Sequence, residues 1–266
     1  MELSTYEKIV ADNTPRPESQ NVCWAEDSKL CILFVEFRKM DIIKYNLWNL
    51  ANVYGGTDTS LTIVHSGENR DDIMEITRDW KNVRYMELYE KNIDVNEYSR
   101  LFCSYGFWNS FSNHEFVLVN QWDSYLFKKI PEKFFEYDYV GGPCGHYYVR
   151  WRGHMMNICC SSCRCDRCKF GEHPYKDSNF ETFPEKYILL NGGFSLRKVS
   201  SMKSLCNRKM WNGEPEDVYF TISDLSRPTR EEAKEFAIQS LPYGEPAGCH
   251  QIWVEHDEDY IRSLFE

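Results

Sequence analysis

The sequence predicts an α/β protein with a mainly parallel central sheet flanked by helices. Two observations carry this. Strand-like and helix-like stretches alternate with short links through the first half of the chain, the pattern of parallel strands joined by right-handed crossovers. The strand-like stretches are also continuous apolar runs rather than alternating ones, as when both faces of a sheet are covered. At 266 residues with 42% hydrophobic content, the chain is long enough to bury such a core.

The elements follow in order. Residues 1–28 are polar, contain "TPRP", and are expected to form a loose N-terminal arm before a domain spanning 29–266. "LCILFVEF" (30–37) reads as the first buried strand, and "MDIIKYNLWNLANVY" (40–54) as the helix after it. "SLTIVHS" (60–66) is a second strand. "NRDDIMEITRDW" (69–80) is a second helix, with acidic residues in the first turn where the helix dipole favours them. "NVRYMEL" (82–88) and "VNEYSRLFCSYGFWNSF" (95–111) repeat the unit, and "FVLVNQWD" (116–123) is a fourth strand. "PEKFFEY" (131–137) predicts a short helix opened by proline, and "YDYVGGP" (137–143) a strand ending in a turn. From 144 to about 186 no periodicity survives, and an irregular, cysteine-rich insertion is expected. "YILLNGGFSLR" (187–197) returns to strand, followed by helices at "KVSSMKSLCNRKM" and "EPEDVYFTISDL".

Ligands of such sheets bind beyond the carboxyl ends of the parallel strands. That rule places Glu36, Arg38, His65, Ser66 and Asp123 on one rim. Asp123 stands between two apolar runs, where a carboxylate is costly to desolvate unless something pairs with it. It could cap a turn or hold a ligand, and no Walker loop, GxGxxG or HExxH accompanies it. Taken singly, the glycines of "NGGFSLR" read as a tight turn, the acids of "EPEDV" as helix capping, and His250 as structural.

The formal net charge of −10 argues against a nucleic-acid partner, which selects for basic surfaces. No basic-then-apolar leader is visible and no apolar run reaches bilayer length, so a soluble, cytoplasmic chain with no membrane span is expected. Eleven cysteines then read as thiols or metal ligands before disulfides. Cys160, Cys163, Cys165 and Cys168 lie within nine positions and offer four thiols for a structural Zn²⁺. Free thiols or disulfides are the other readings of that cluster.

In this order, "LFVEFR", "TIVHSGEN", "NQWDS", "YDYVGGP", "NGGFSLR", "PEDVYF" and "GCHQIW" resemble the blocks of a branch of the GT-A-type glycosyltransferases. The resemblance spans about residues 30–254 apart from the cysteine-rich segment. It implies a GT-A-like fold and transfer of a sugar from a nucleoside-diphosphate sugar (UDP- or GDP-linked) to a glycan or glycoprotein acceptor, with inversion. It also implies a divalent cation, Mn²⁺ or Mg²⁺, held by Asp123 and His250. The family's first carboxylate is replaced here by Gln121, which puts that cation in question. Glu36, Arg38 and Ser66 match positions that cradle the nucleoside. Asn191, Gly192 and Gly193 match the acceptor loop, Asp217 the catalytic base and Glu216 its orienting neighbour. The alternative is a GT-A-like sugar- or protein-binding module without catalysis.

Overall fold

A computed structural model describes residues 1–18, 22–151, 154–159 and 188–266. Seven strands form the main sheet: β1 (Leu30–Val35), β2 (Ser60–Ser66), β3 (Val83–Tyr89), β4 (Phe116–Asn120), β6 (Tyr139–Trp151), β7 (His154–Cys159) and β8 (Ile188–Lys198). Their order is β3-β2-β1-β4-β8-β6-β7. The β1–β2, β2–β3 and β1–β4 pairings are parallel. The β4–β8, β6–β8 and β6–β7 pairings are antiparallel. Because β6 is antiparallel to β8, it runs with the first four strands, so five of the seven point one way. The α/β architecture with a mainly parallel sheet agrees with the sequence reading.

Every residue of β1, β2 and β4 is buried, whereas β3, on the edge, is partly exposed. One face of the sheet packs against α2 (Ile43–Tyr54) and α3 (Arg70–Ile76), through Ile32, Phe34, Leu47, Leu50 and Ile63. The other face packs against α4 (Val95–Phe102), α5 (Tyr105–Asn109), α6 (Val199–Arg208) and α7 (Glu216–Thr221), through Leu33, Val117, Phe102, Trp108 and Phe220. The predicted helix over 95–111 is two helices. The chain breaks at Cys103, and the Ser104 hydroxyl caps α5 by accepting from the Phe107 amide. The short helix expected at 131–137 is a 3₁₀ turn, Glu132–Glu136.

Two further sequence expectations are corrected. Residues 1–28 do not begin as a loose arm, because Leu3–Asn13 form α1 and bury Tyr6, Ile9 and Val10. These three lie at i, i+3 and i+4, one face of a helix, and pack with Ile42, Tyr125, Ile252 and Ile261. The segment from 144 is also not irregular throughout, since β6 continues to Trp151 and pairs with β7. Cys160, Cys163, Cys165 and Cys168 lie outside the described residues. Cys23, Cys31, Cys103, Cys206 and Cys249 are free thiols. Among the described residues, no helix is long and apolar enough to cross a membrane.

A second, small sheet was not foreseen. It consists of β5 (Ser124–Leu126), β9 (Ala237–Ile238) and β10 (Gly248–His250), with β10 in the middle. β10 runs antiparallel to β5 with His250 opposite Ser124, and parallel to β9. Beyond them, α8 (Arg230–Phe236) precedes β9, and α9 (Ile252–Glu255) and α10 (Glu258–Ser263) end the chain.

The docking of α1 makes a direct test. Ile9 is 1% exposed, so Ile9→Ala should lower stability in a urea titration by about 2–5 kcal/mol. A change within about 0.5 kcal/mol, as for a surface substitution, would mean that the helix is loosely attached.

Candidate active site

The strand order 3-2-1-4 reverses direction between β1 and β4, and the crevice beyond their carboxyl ends is where open α/β sheets bind ligands. A cleft of about 440 Å³ lies there, within the range of small-molecule sites. Its walls include Glu36 and Arg38 after β1, Gln121 after β4, Asn191, Gly192 and Gly193 from β8, Glu216 and Asp217 from α7, and Gln239, His250 and Gln251 from the small sheet. α4 closes one side with Asp94 and Tyr98.

The small sheet brings Asp123 to His250. Asp123 directly precedes β5, and the antiparallel register that sets Ser124 opposite His250 sets Asp123 beside Gln251. The Gln251 amide donates to the Asp123 carbonyl at 2.9 Å, and its side-chain amide donates to Asp123 Oδ2 at 2.6 Å. Gln251 adopts a left-handed backbone (φ 48°, ψ 32°) to make both contacts, a conformation unusual for a residue with a Cβ. Asp123 Oδ1 is left facing His250 Nε2 at 3.2 Å. Both atoms are buried and neither has a hydrogen-bond partner. Burial pushes the Asp123 carboxyl up, but attraction to the neighbouring His250 and the bond from Gln251 outweigh it and hold the group below its ordinary value.

This pair fits a cation. Two ligands at right angles on a divalent ion with bonds of roughly 2.1–2.3 Å stand about 3.0–3.3 Å apart, and the two orphaned atoms are 3.2 Å apart. Among the described residues, no three His, Cys, Asp or Glu side chains gather into a metal cage. The Gln121 side-chain oxygen shares the neighbourhood. A Cβ added at Gly193 would collide with both Gln121 Oε1 and His250 Nε2, so the glycine is what lets β8 pass this close. A cation here would take most of its ligands from bound phosphates and water, as Mg²⁺ commonly does.

Across the cleft stands an ion pair. Arg197 of β8 is fully buried, and its NH2 lies 3.0 Å from Glu216 Oε2 of α7. The same NH2 donates to the Gly192 carbonyl at 3.0 Å, and Nε donates to Ser195 Oγ at 2.9 Å. The guanidinium lies 4.8–5.6 Å from the ring centroids of Phe220, Phe102, Tyr139 and Trp108, a cage that favours a cation. Burial works against the Arg197 charge, yet Glu216 more than offsets it and the guanidinium stays protonated. Tyr139 donates its hydroxyl to the Leu190 and Asn191 carbonyls, and Asn191 Oδ1 accepts from the Phe194 amide. The Asn191–Gly193 stretch of β8 is thus held by several hydrogen bonds.

Glu216 is engaged by Arg197, yet burial outweighs that attraction and pushes its carboxyl up. Among the described residues, Asp217 has no such ion pair. Half-buried at the cleft wall, its carboxyl is pushed up to about 7 by burial and then by the charge of Glu216. A carboxylate with that value is poised to take a proton near neutral pH.

Of Glu36, Arg38 and Ser66, expected from the resemblance to cradle a nucleoside, Glu36 and Arg38 line the cleft. Glu36 accepts from Arg38 Nε and NH2, each at 2.8 Å, and the guanidinium lies 5.1 Å from the Trp122 ring centroid. Ser66 and His65 do not reach it. Both are buried, and the Ser66 hydroxyl donates to the Phe37 carbonyl, shaping the loop after β1 rather than lining the cleft. Gln239, Gln251 and Tyr98 were missed, as was the pairing of Arg197. Only Gln251 left a trace, adjacent to His250 in "GCHQIW".

These features define an α/β protein whose cleft, at the strand-order switch point, sets a buried Asp–His pair against a raised carboxylate. The family model described as "Protein of unknown function (DUF5672)" matches residues 82–250, and the chain belongs to that family. No curated protein matches the chain. Among solved structures, S. aureus TarS 1–349 in complex with UDP is similar at 18% identity with a TM-score of 0.40, over 73% of this chain. This chain covers 54% of that one, about half its length.

The ion pair yields a stability test. Arg197→Leu, which strands the Glu216 charge, should cost about 3–5 kcal/mol in a urea titration. Adding Glu216→Gln should recover a good part of the loss. Equal stability of Arg197→Leu and the parent would mean that the pair does not brace the cleft.

Proposed function

We propose that the chain is a glycosyltransferase that binds a nucleoside-diphosphate sugar with a divalent cation, Mn²⁺ or Mg²⁺, and transfers the sugar to an acceptor hydroxyl with inversion. The observation that carries this reading is the pairing of orphaned Asp123 Oδ1 and His250 Nε2, with His250 lining the same cleft as Asp217. The resemblance of the sequence blocks to GT-A-type enzymes supports it, and so does the placement of the cleft beyond the strand ends.

In this reading Asp123, His250 and the Gln121 amide hold the cation, which supplies charge neutralisation for the departing diphosphate. Arg38 and Glu36 lie on the nucleoside side. Gly192 and Gly193, where a Cβ would collide with Glu216 on one and with Gln121 and His250 on the other, let these cleft side chains converge on the place the sugar or acceptor would take. Asp217 takes the proton of the acceptor hydroxyl as it attacks, and Glu216, held by Arg197, keeps α7 in place. The acceptor is a glycan or glycoprotein. In the cysteine-rich segment, Cys160, Cys163, Cys165 and Cys168 are proposed to hold a structural Zn²⁺, and elemental analysis tests this.

Replacement of the first family carboxylate by Gln121 favours a second reading, a module that binds a nucleotide sugar without turning it over. Release of nucleoside diphosphate from a panel of donor sugars, with and without Mn²⁺, separates the two, because a binding module releases none. Asp123→Ala should abolish cation-dependent donor binding in calorimetry while the melting temperature stays near the parent's. Undiminished binding would remove Asp123 from the donor site.

Asp217→Asn should lower turnover by about 10²–10⁴ with donor affinity nearly unchanged. The parental rate should rise with pH through about 7, as Asp217 loses its proton. The sign for stability is opposite. A carboxyl that binds its proton more tightly folded than unfolded stabilises the fold below the unfolded value of about 4, and that contribution is lost as pH rises through about 7. A flat rate profile across pH 6–8 would place the base elsewhere.

A further inference from the structure

We propose that Gln239 is a positioning residue that holds His250 in the ring tautomer able to receive a cation; the inference rests on the cation site proposed above. β9 and β10 run parallel with Ala237 beside Gly248 and Ile238 beside Cys249, so the next residues along, Gln239 and His250, are neighbours. The Gln239 main chain is fixed, its carbonyl lying 2.8 Å from His256 Nε2. Its side-chain carbonyl oxygen lies 3.3 Å from His250 Nδ1.

With its amide oriented oxygen-first, Gln239 can only accept, and this contact favours the proton on Nδ1. A neutral imidazole has one ring proton, and Nε2 therefore carries a lone pair. That lone pair faces Asp123 Oδ1, also a lone-pair atom, at 3.2 Å in a buried place where neither has a hydrogen-bond partner. Two buried acceptors facing each other cost free energy until something positive lies between them. The other tautomer would aim an N–H from Nε2 at Asp123, close the pair on itself, and occupy the cation's place. Gln239 thus chooses the open form. Gln251 does the matching work on the other ligand, engaging Asp123 Oδ2 at 2.6 Å and leaving Oδ1 free. Partners of this kind, which orient a ligand's other ring nitrogen, tune metal sites generally.

The test uses the full chain with Mn²⁺ alone and no nucleotide. Free Mn²⁺ is counted by electron paramagnetic resonance, and the His250 tautomer is read from ¹⁵N shifts of metal-free protein at a pH where the ring holds one proton. The parent should show the Nδ1–H form. Gln239→Leu should move the ring toward Nε2–H and weaken Mn²⁺ binding about 10–100-fold, and Gln239→Glu, which keeps the acceptor, should restore both. A merely structural role would lower the melting temperature without shifting the tautomer or being rescued by glutamate. Should Gln239→Leu not fold, the parent's tautomer still decides. An Nε2–H ring in the parent, or parental Mn²⁺ affinity in Gln239→Leu, overturns the inference while leaving the cation site standing. A parent that binds no Mn²⁺ overturns both.

Discussion

A guanidinium buried beneath the sheet ties the two halves of the cleft together. Arg197 sits on β8, one strand from the switch point, and its NH2 reaches both the Gly192 carbonyl and the Glu216 carboxylate. Removing a charge from water is expensive, and a buried pair is tolerated only when geometry and extra hydrogen bonds compensate. Here compensation comes from Ser195, from the Gly192 carbonyl and from four aromatic rings. The same contacts tie the middle of β8, at Gly192, to the first residue of α7, Glu216. Asp217 inherits its position, and part of its raised pKa, from its bonded neighbour.

The second constraint is the three-stranded sheet. It folds the C-terminal segment back over the end of β4, so that residues 123 and 250, far apart in sequence, face each other. α1 packs behind this sheet through Tyr6, Ile9 and Val10. The N-terminal segment thereby supports the strand that carries His250. Stability and site are therefore coupled on both sides of the cleft, through an ion pair on one and an apolar cluster on the other.

Much of this could be read in advance, and the limits have physical causes. β1, β2 and β4 announce themselves because strands covered on both faces are apolar throughout. α1 carried a signal, the spacing of Tyr6, Ile9 and Val10, but polar residues around it hid the stripe. β9 and β10 are two and three residues long, too short for any period to show, and they exist because the tertiary fold supplies their partners. For that reason Gln239 was invisible, whereas Asp123, His250 and Asp217 were singled out as candidates through the resemblance of ordered blocks. Arg197 stood in view within "NGGFSLR", but its pairing with Glu216 is a tertiary fact that no local spacing encodes. Ser66 shows the reverse error: the right strand end, with a side chain turned into the loop after β1.

The proposed chemistry depends above all on where positive charge gathers in the cleft. The direct measurement is anomalous diffraction from crystals grown with Mn²⁺ and a nucleoside diphosphate. The expected result is one strong peak within about 2.0–2.6 Å of both Asp123 Oδ1 and His250 Nε2, with the diphosphate completing the ion's coordination and Asp217 across the cleft. A nucleotide bound elsewhere on the molecule, or a cation that ignores this pair, would contradict it.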